Sequence, residues 1–151
     1  MKTLKKLMMA LCAFALLGMT AACSKDDDKN NGSGDTHGYG TLLVGTWQVD
    51  RMLYNGEDVT SYMLRGTVKL NFYQGGTGLV NDNGETQNNE FSWVINGDDI
   101  TITEHDISMT FTINSLTATE CTFSGTNLEM DGHMFEGEIT VHMTKLPDNK
   151  K

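Results

Sequence analysis

The amino-acid sequence predicts an all-β domain, an up-and-down antiparallel barrel of eight strands, and three observations carry that expectation. From Leu42 onward the apolar residues recur mostly at every second position, the period of a half-buried strand. Turn signals rich in Gly, Asn and Asp interrupt these runs at roughly ten-residue spacing, as in a meander of hairpins. The composition agrees, with 16 Gly, one Pro and 8% aromatic residues, a profile of many turns around short strands. Exposed edges on such a sheet would invite pairing with other chains, so closure into a barrel is favoured over a two-sheet sandwich.

Val44 to Leu53 forms the first strand. Gly66 to Tyr73 follows, with Val68, Leu70 and Phe72 on one face and Lys69 and Asn71 on the other. Gly75-Gly76 turns the chain into Thr77 to Asn81, and Asp82-Asn83-Gly84 is a strong hairpin signal because Asn-Gly adopts positive φ cheaply. Glu90 to Ile95 points Phe91, Trp93 and Ile95 one way, and Asn96-Gly97-Asp98 leads to a short strand with Ile100 and Ile102 inward. Ile107, Met109, Phe111 and Ile113 alternate without a break. Asn114-Ser115 then reads as a turn into Leu116 to Ser124, with Thr119, Cys121 and Phe123 inward. The last strand runs from Met134 to Leu146, with Phe135, Ile139, Val141 and Met143 inward. The one long connection, Tyr54 to Arg65, reads as a lid with one helical turn around Tyr62, Met63 and Leu64.

The N-terminus reads as an address. Lys2, Lys5 and Lys6 precede an apolar run from Leu7 to Met19, and Thr20, Ala21 and Ala22 lead into Cys23. This is the order of charge, apolar core and small-residue cleavage site in a secretory signal peptide, too short to span a bilayer comfortably. An ordinary signal cleaved near Ala22 would leave Cys23 incidental. Met19-Thr20-Ala21-Ala22-Cys23, however, resembles a bacterial lipobox, which implies acylation of Cys23, palmitate included. Ser24-Lys25-Asp26-Asp27-Asp28 is similar to the acidic export signal of Bacteroidetes-type lipoproteins, implying the outer membrane and exposure at the cell surface; a merely solvated acidic linker is the alternative. The expected organisation is residues 1–22 signal peptide, 23–40 lipidated flexible tether, 41–146 barrel and 147–151 disordered tail.

Charge narrows the partners. Loss of the three leader lysines leaves eight cationic side chains against twenty acidic ones, a net charge of −12. This argues against nucleic acid as a partner, and against anionic headgroups. With Cys12 in the leader and Cys23 given to lipid, Cys121 has no disulfide partner. Its run of β-type residues makes it a small buried hydrophobe.

Leu43-Val44-Gly45-Thr46-Trp47-Gln48-Val49 resembles the Gly-x-Trp opening of lipocalins and of lipocalin-like domains in secreted lipoproteins. Asn71-Phe72-Tyr73 before a Gly-rich turn, Phe91-Ser92-Trp93 before Asn96-Gly97, and Ile113-Asn114-Ser115-Leu116-Thr117 extend the similarity over residues 42 to 146. The resemblance implies a lipocalin-like barrel in which Trp47 closes the floor beneath a basic side chain of the final strand, here Lys145. A cation over an indole face is worth about 0.5 to 2 kcal/mol. The disulfide of many secreted lipocalins and their C-terminal helix have no counterpart in this sequence.

No constellation points to catalysis, a metal or a cofactor. His37, His105, His133 and His142 show no metal-ligand spacing, and alternation places His142 outward beside Thr140 and Thr144. Asp98-Asp99, Glu104-His105-Asp106 and Glu129-Met130-Asp131 fall at turns, which carboxylates commonly cap and solvate. Asn81-Asp82-Asn83-Gly84-Glu85 is too short for a calcium loop. Gly75-Gly76-Thr77-Gly78 lacks the helix of a phosphate cradle, and no serine stands in a Gly-x-Ser-x-Gly context.

What remains is the barrel interior. Phe72, Phe91, Trp93, Met109, Phe111, Phe123 and Phe135 face inward, and eight strands either enclose side chains alone or leave room for one small ligand. The leading expectation is a non-enzymatic surface lipoprotein, lipid-anchored in the membrane, that binds a small apolar or amphipathic ligand at the barrel mouth, with Tyr54, Tyr62, Met63 and Trp93 as ligand-binding residues. The alternative is a structural or accessory component of an outer-membrane complex, with a filled barrel and an envelope protein as partner. An enzyme would need a deep pocket holding two carboxylates or a His.

Overall fold

The computed structural model describes residues 35–64, 66–82, 89–130 and 133–147. The leader, Cys23, the acidic run, Asn83-Gly84 and the tail from residue 148 lie outside the described residues. A short helix α1 (Tyr39–Leu43) leads into β1 (Gly45–Tyr54), followed by β2 (Glu57–Asp58), helix α2 (Thr60–Met63), β3 (Val68–Tyr73), β4 (Thr77–Asp82) and β5 (Asn89–Asn96). Then come β6 (Asp99–Glu104), β7 (Ile107–Leu116), β8 (Glu120–Gly125), a ribbon of β9 (Leu128–Met130) with β10 (His133–Phe135), and β11 (Ile139–Lys145).

Eight of these strands close a barrel. Each of β3 to β8 pairs with its neighbour, β3 pairs with β1, β8 with β11, and β11 with β1. The closing pair runs antiparallel from Trp47 opposite Lys145 to Tyr54 opposite Ile139. Closure satisfies the backbone of what would otherwise be two open edges. Strand direction defines two ends. The floor holds α1 and the turns β3–β4, β5–β6 and β7–β8; the mouth holds the β1–β3 connection, the β6–β7 turn and the β9–β10 ribbon.

The expected alternation holds most clearly in β5, where Phe91, Trp93 and Ile95 are buried and Glu90, Ser92 and Val94 exposed. Phe72 packs edge-on against both Phe91 and Trp93, with centroids 5.3 and 5.7 Å apart, the geometry that aligns ring edges with ring faces. Gly78 permits this stack, because a Cβ there would collide with the Phe91 ring.

The structure departs from the sequence reading at several places. Asn114-Ser115 is a bulge inside β7, where the register with β8 slips between Ile113 and Ser115. One extra residue shifts the inward phase from Phe111 and Ile113 to Leu116. The turn lies at Thr117 to Glu120, where the Thr117 hydroxyl accepts the Glu120 N–H at 3.0 Å. Thr119 is consequently exposed instead of inward. A second bulge, at Asp50 in β1, shifts the inward phase from Trp47 and Val49 to Met52 and Tyr54.

The final strand is broken. Phe135 ends the β9–β10 ribbon, and the chain rejoins the barrel only at Ile139. Between them Asn55 N–H donates to the Glu138 carbonyl at 2.8 Å, and the Asn55 side-chain carbonyl accepts the Glu138 N–H at 2.9 Å. This pins the crossing to the two-residue Asn55-Gly56 turn that opens the lid. Ahead of the barrel, the Asp35 carboxylate accepts the N–H groups of Tyr39 and Gly40 at 2.9 and 2.8 Å and caps α1.

Candidate functional site

The floor is built around Trp47. Its side chain is fully buried, and its indole N–H donates to the Leu43 carbonyl at 2.7 Å, an acceptor left free at the end of α1. Lys145 Nζ stands 5.2 Å from the Trp47 ring centroid and donates to the Leu42 carbonyl at 2.9 Å. Gly45 follows from the same packing. Its φ is +137°, and a Cβ there would lie 2.5 Å from Lys145 Cε, so the Gly of Gly-x-Trp is the residue that lets the lysine stem pass. Replacing Lys145 by Met keeps the stem but removes the cation; we expect urea denaturation to show a loss of about 0.5 to 2 kcal/mol.

Above the floor the barrel is solid: Leu43, Trp47, Phe72, Trp93, Ile95, Ile100 and Cys121 fill it, each no more than 3% exposed. Burial pushes the Cys121 thiol up to about 12, so thiolate is scarce at neutral pH. A thiol reagent at pH 8 should leave the native domain unmodified at this residue and label it at the rate of unfolding, as intact-mass measurement with and without urea will show.

Toward the mouth the packing opens into a cavity of about 180 Å³. Val49 and Met52 of β1, Val80 of β4, Phe91 of β5, Ile102 of β6 and Met109 of β7 are among its walls, Leu128 of the ribbon also lines it, and Met63 and Leu64 contribute from the lid. Both sides of the Asp50 bulge therefore serve the interior. The lid is pinned: Thr60 Oγ1 accepts the Met52 N–H at 2.9 Å, and Val59 N–H donates to the Met52 carbonyl at 3.0 Å. Asp58 accepts the Thr60 N–H at 3.0 Å and meets Arg51 at 3.1 Å. The bonds from Thr60, ahead of Arg51, hold the Asp58 carboxyl below its usual range.

Two lining residues are acidic, Glu104 at the end of β6 and Asp82 at the end of β4. Glu104 is 7% exposed, and burial raises its pKa to about 7. Glu104 Oε1 and Asp82 Oδ1 are buried without a hydrogen-bond partner among the described residues.

Of the residues expected to bind ligand, Met63 alone lines the cavity. Trp93 sits lower, 3% exposed, with its indole N–H donating to the Thr77 carbonyl at 2.9 Å. β5 runs from mouth to floor, which carries Trp93 below the cavity that Phe91 lines. Tyr62 is 69% exposed on the outside of the lid, and Tyr54 is half-buried at the rim, packed over Gly137. Glu104 and Asp82 escape a turn-based reading, although each falls in phase with inward neighbours, Glu104 with Ile100 and Ile102, Asp82 with Val80.

The histidines among the described side chains lie outside the cavity. His142 faces outward with Nδ1 3.1 Å from the Thr122 hydroxyl, His105 is exposed in the β6–β7 turn, and His37 stacks on Tyr39 at 5.1 Å. Among the described residues, no group of three His, Cys, Asp or Glu side chains could hold a metal ion.

Residues 43–128 match the family described as Lipocalin-like domain, a stretch of more than half the chain. The chain belongs to this lipocalin-like family. The match begins at Leu43, whose carbonyl receives the Trp47 indole, and ends at Leu128, which lines the mouth. The closing strand β11 and Lys145 lie beyond it, so the structure supplies the closure of this lipocalin-like barrel. No curated protein matches the chain.

Proposed function

We propose that this lipocalin-like protein is a binding lipoprotein: acylated at Cys23, carried on a tether to the outer face of the outer membrane, and holding one small apolar or amphipathic molecule at the mouth of its barrel. The observation that carries the binding part is the apolar cavity of about 180 Å³ above a solid floor. Apolar voids are costly when side chains could fill them, because their walls lose dispersion contacts. A resident molecule restores those contacts. The volume is below the roughly 300 Å³ at which drug-sized pockets begin and close to the roughly 150 Å³ of an apolar cavity that binds benzene, which points to a compact ligand.

Support for the anchor comes from the order of residues Lys2 to Asp28 alone. Metabolic labelling with a palmitate analogue is expected to mark the wild-type protein and to leave Cys23→Ala unmarked; labelling that survives the substitution removes the anchor. Protease shaving of intact cells tests the surface position. For binding, native mass spectrometry of protein purified from its own host is expected to retain a co-purifying small molecule. Its absence, together with no saturable uptake of benzene by the emptied protein, would overturn the binding reading.

A further inference from the structure

The apolar walls leave two groups unanswered. Glu104 is more than nine-tenths buried, and its Oε1 has no hydrogen-bond partner among the described residues; Asp82 is half-buried, with an Oδ1 that is itself buried and unpaired among them. Buried polar atoms in native proteins are almost always paired, and an unpaired buried carboxylate is expensive. Neither relief is available locally: the described residues that line the cavity include no Lys, Arg or His, and His105, next in the chain after Glu104, is exposed in the turn. Both carboxylates end their strands at the mouth, while the apolar lining from Phe91, Ile102, Met109 and Phe111 extends below them. The cavity thus has an acceptor end at the rim and an apolar end inside.

Building on the ligand-binding reading above, we infer that this site is selective for small amines, with an ammonium head hydrogen-bonded to Glu104, drawn also by the negative charge of Asp82, and an apolar body of about six to eight carbon atoms beneath it. An ammonium ion supplies up to three donors from one compact centre, the complement of a buried acceptor that lacks a partner. A divalent metal ion fits poorly, because calcium takes six to eight oxygen ligands and magnesium a near-ideal octahedron, whereas this rim offers two carboxylates above an apolar wall. A fatty acid would place its own carboxylate against two others, and its chain exceeds the available volume.

The test uses the chain from residue 23 onward with Cys23→Ser, purified without detergent and titrated calorimetrically at pH 8. Three probes share one ring and differ in the head: cyclohexylmethylamine, cyclohexylmethanol and cyclohexanecarboxylate. The amine is expected to bind at least about tenfold more tightly than the alcohol, as a hydrogen bond between charged groups requires, and the carboxylate more weakly than either. Glu104→Gln should weaken the amine by about tenfold or more and change the alcohol by much less. Asp82→Asn should act in the same direction more weakly, through charge alone, and it reads the same ammonium head should Glu104→Gln prove unable to fold. Equal binding of amine and alcohol, or an amine affinity untouched by both substitutions, overturns the amine selectivity while leaving an apolar binding cavity. Failure of all three probes to bind saturably overturns both readings.

Discussion

Replacing Trp47 by Ala is expected to destabilise the domain by about 3–5 kcal/mol, the usual cost of removing a large aromatic side chain from a packed core. The effect should fall at the upper end of that range for three reasons. The side chain is completely buried, so the vacated volume cannot be relieved by water. Its indole N–H answers the Leu43 carbonyl, which would be left without that donor. Lys145, which stands over the ring and bonds Leu42, would lose the aromatic face beneath its ammonium group. Urea unfolding followed by far-ultraviolet circular dichroism measures this directly, as a lower midpoint at unchanged slope. Since a domain of this size has only about 5–15 kcal/mol in total, Trp47→Phe is the variant to use if Trp47→Ala does not accumulate. A Trp47→Ala loss below about 1 kcal/mol would mean that Trp47 does not close the floor.

The second large effect is a pH dependence centred on Glu104. Its pKa is raised from 4.5 to about 7 by burial. Below pH 4.5 the carboxyl is protonated whether the chain is folded or not, and it costs nothing extra. As pH rises from 4.5 to 7, the unfolded chain releases this proton while the folded one retains it, so stability is lost progressively; above 7 the loss is complete. The magnitude is on the order of 2–3 kcal/mol. Glu104→Gln removes the titration. The stability of the variant minus that of wild type should therefore grow by this amount between pH 4 and pH 8, as measured by urea unfolding at each pH. A difference that stays constant over the range would show that Glu104 is not held in the apolar mouth. Asp82 is the other acidic residue of the cavity wall, so the same series in an Asp82→Asn background isolates the Glu104 contribution.

These two residues also show what a sequence discloses and what it conceals. Trp47 was legible because two local signals coincide, a Gly-x-Trp at the head of the first strand and a basic residue near the end of the last. The closed eight-stranded wall was legible because alternation is a property of each strand alone, as in Phe91-Trp93-Ile95. Bulges are different. Asp50 and Asn114 are marked as extra residues only by the strands opposite them, and both shift the inward phase of everything that follows. The break at Glu136 to Glu138 depends on Asn55, more than eighty residues away in the chain.

The residues that line the cavity were concealed for a related reason. Aromatic residues near a long loop suggest a rim, yet height along the barrel axis, and not residue type, decides what lines a cavity. Trp93 lies too low and Tyr62 points away. Glu104 reads as a turn carboxylate from its neighbours His105 and Asp106, and as an inward residue from its phase with Ile100 and Ile102. The structure follows the phase.

This lipocalin-like barrel is solid at its floor and hollow at its mouth. Crystals of the chain from residue 23 onward with Cys23→Ser, pressurised with xenon, test it most directly, because xenon enters dry apolar cavities and scatters strongly. One strong xenon site is expected between Val80, Ile102 and Met109, with none beside Trp47 or Phe72. A barrel without xenon, its mouth filled by inward-turned Met52, Met63 and Met109 side chains, would contradict it.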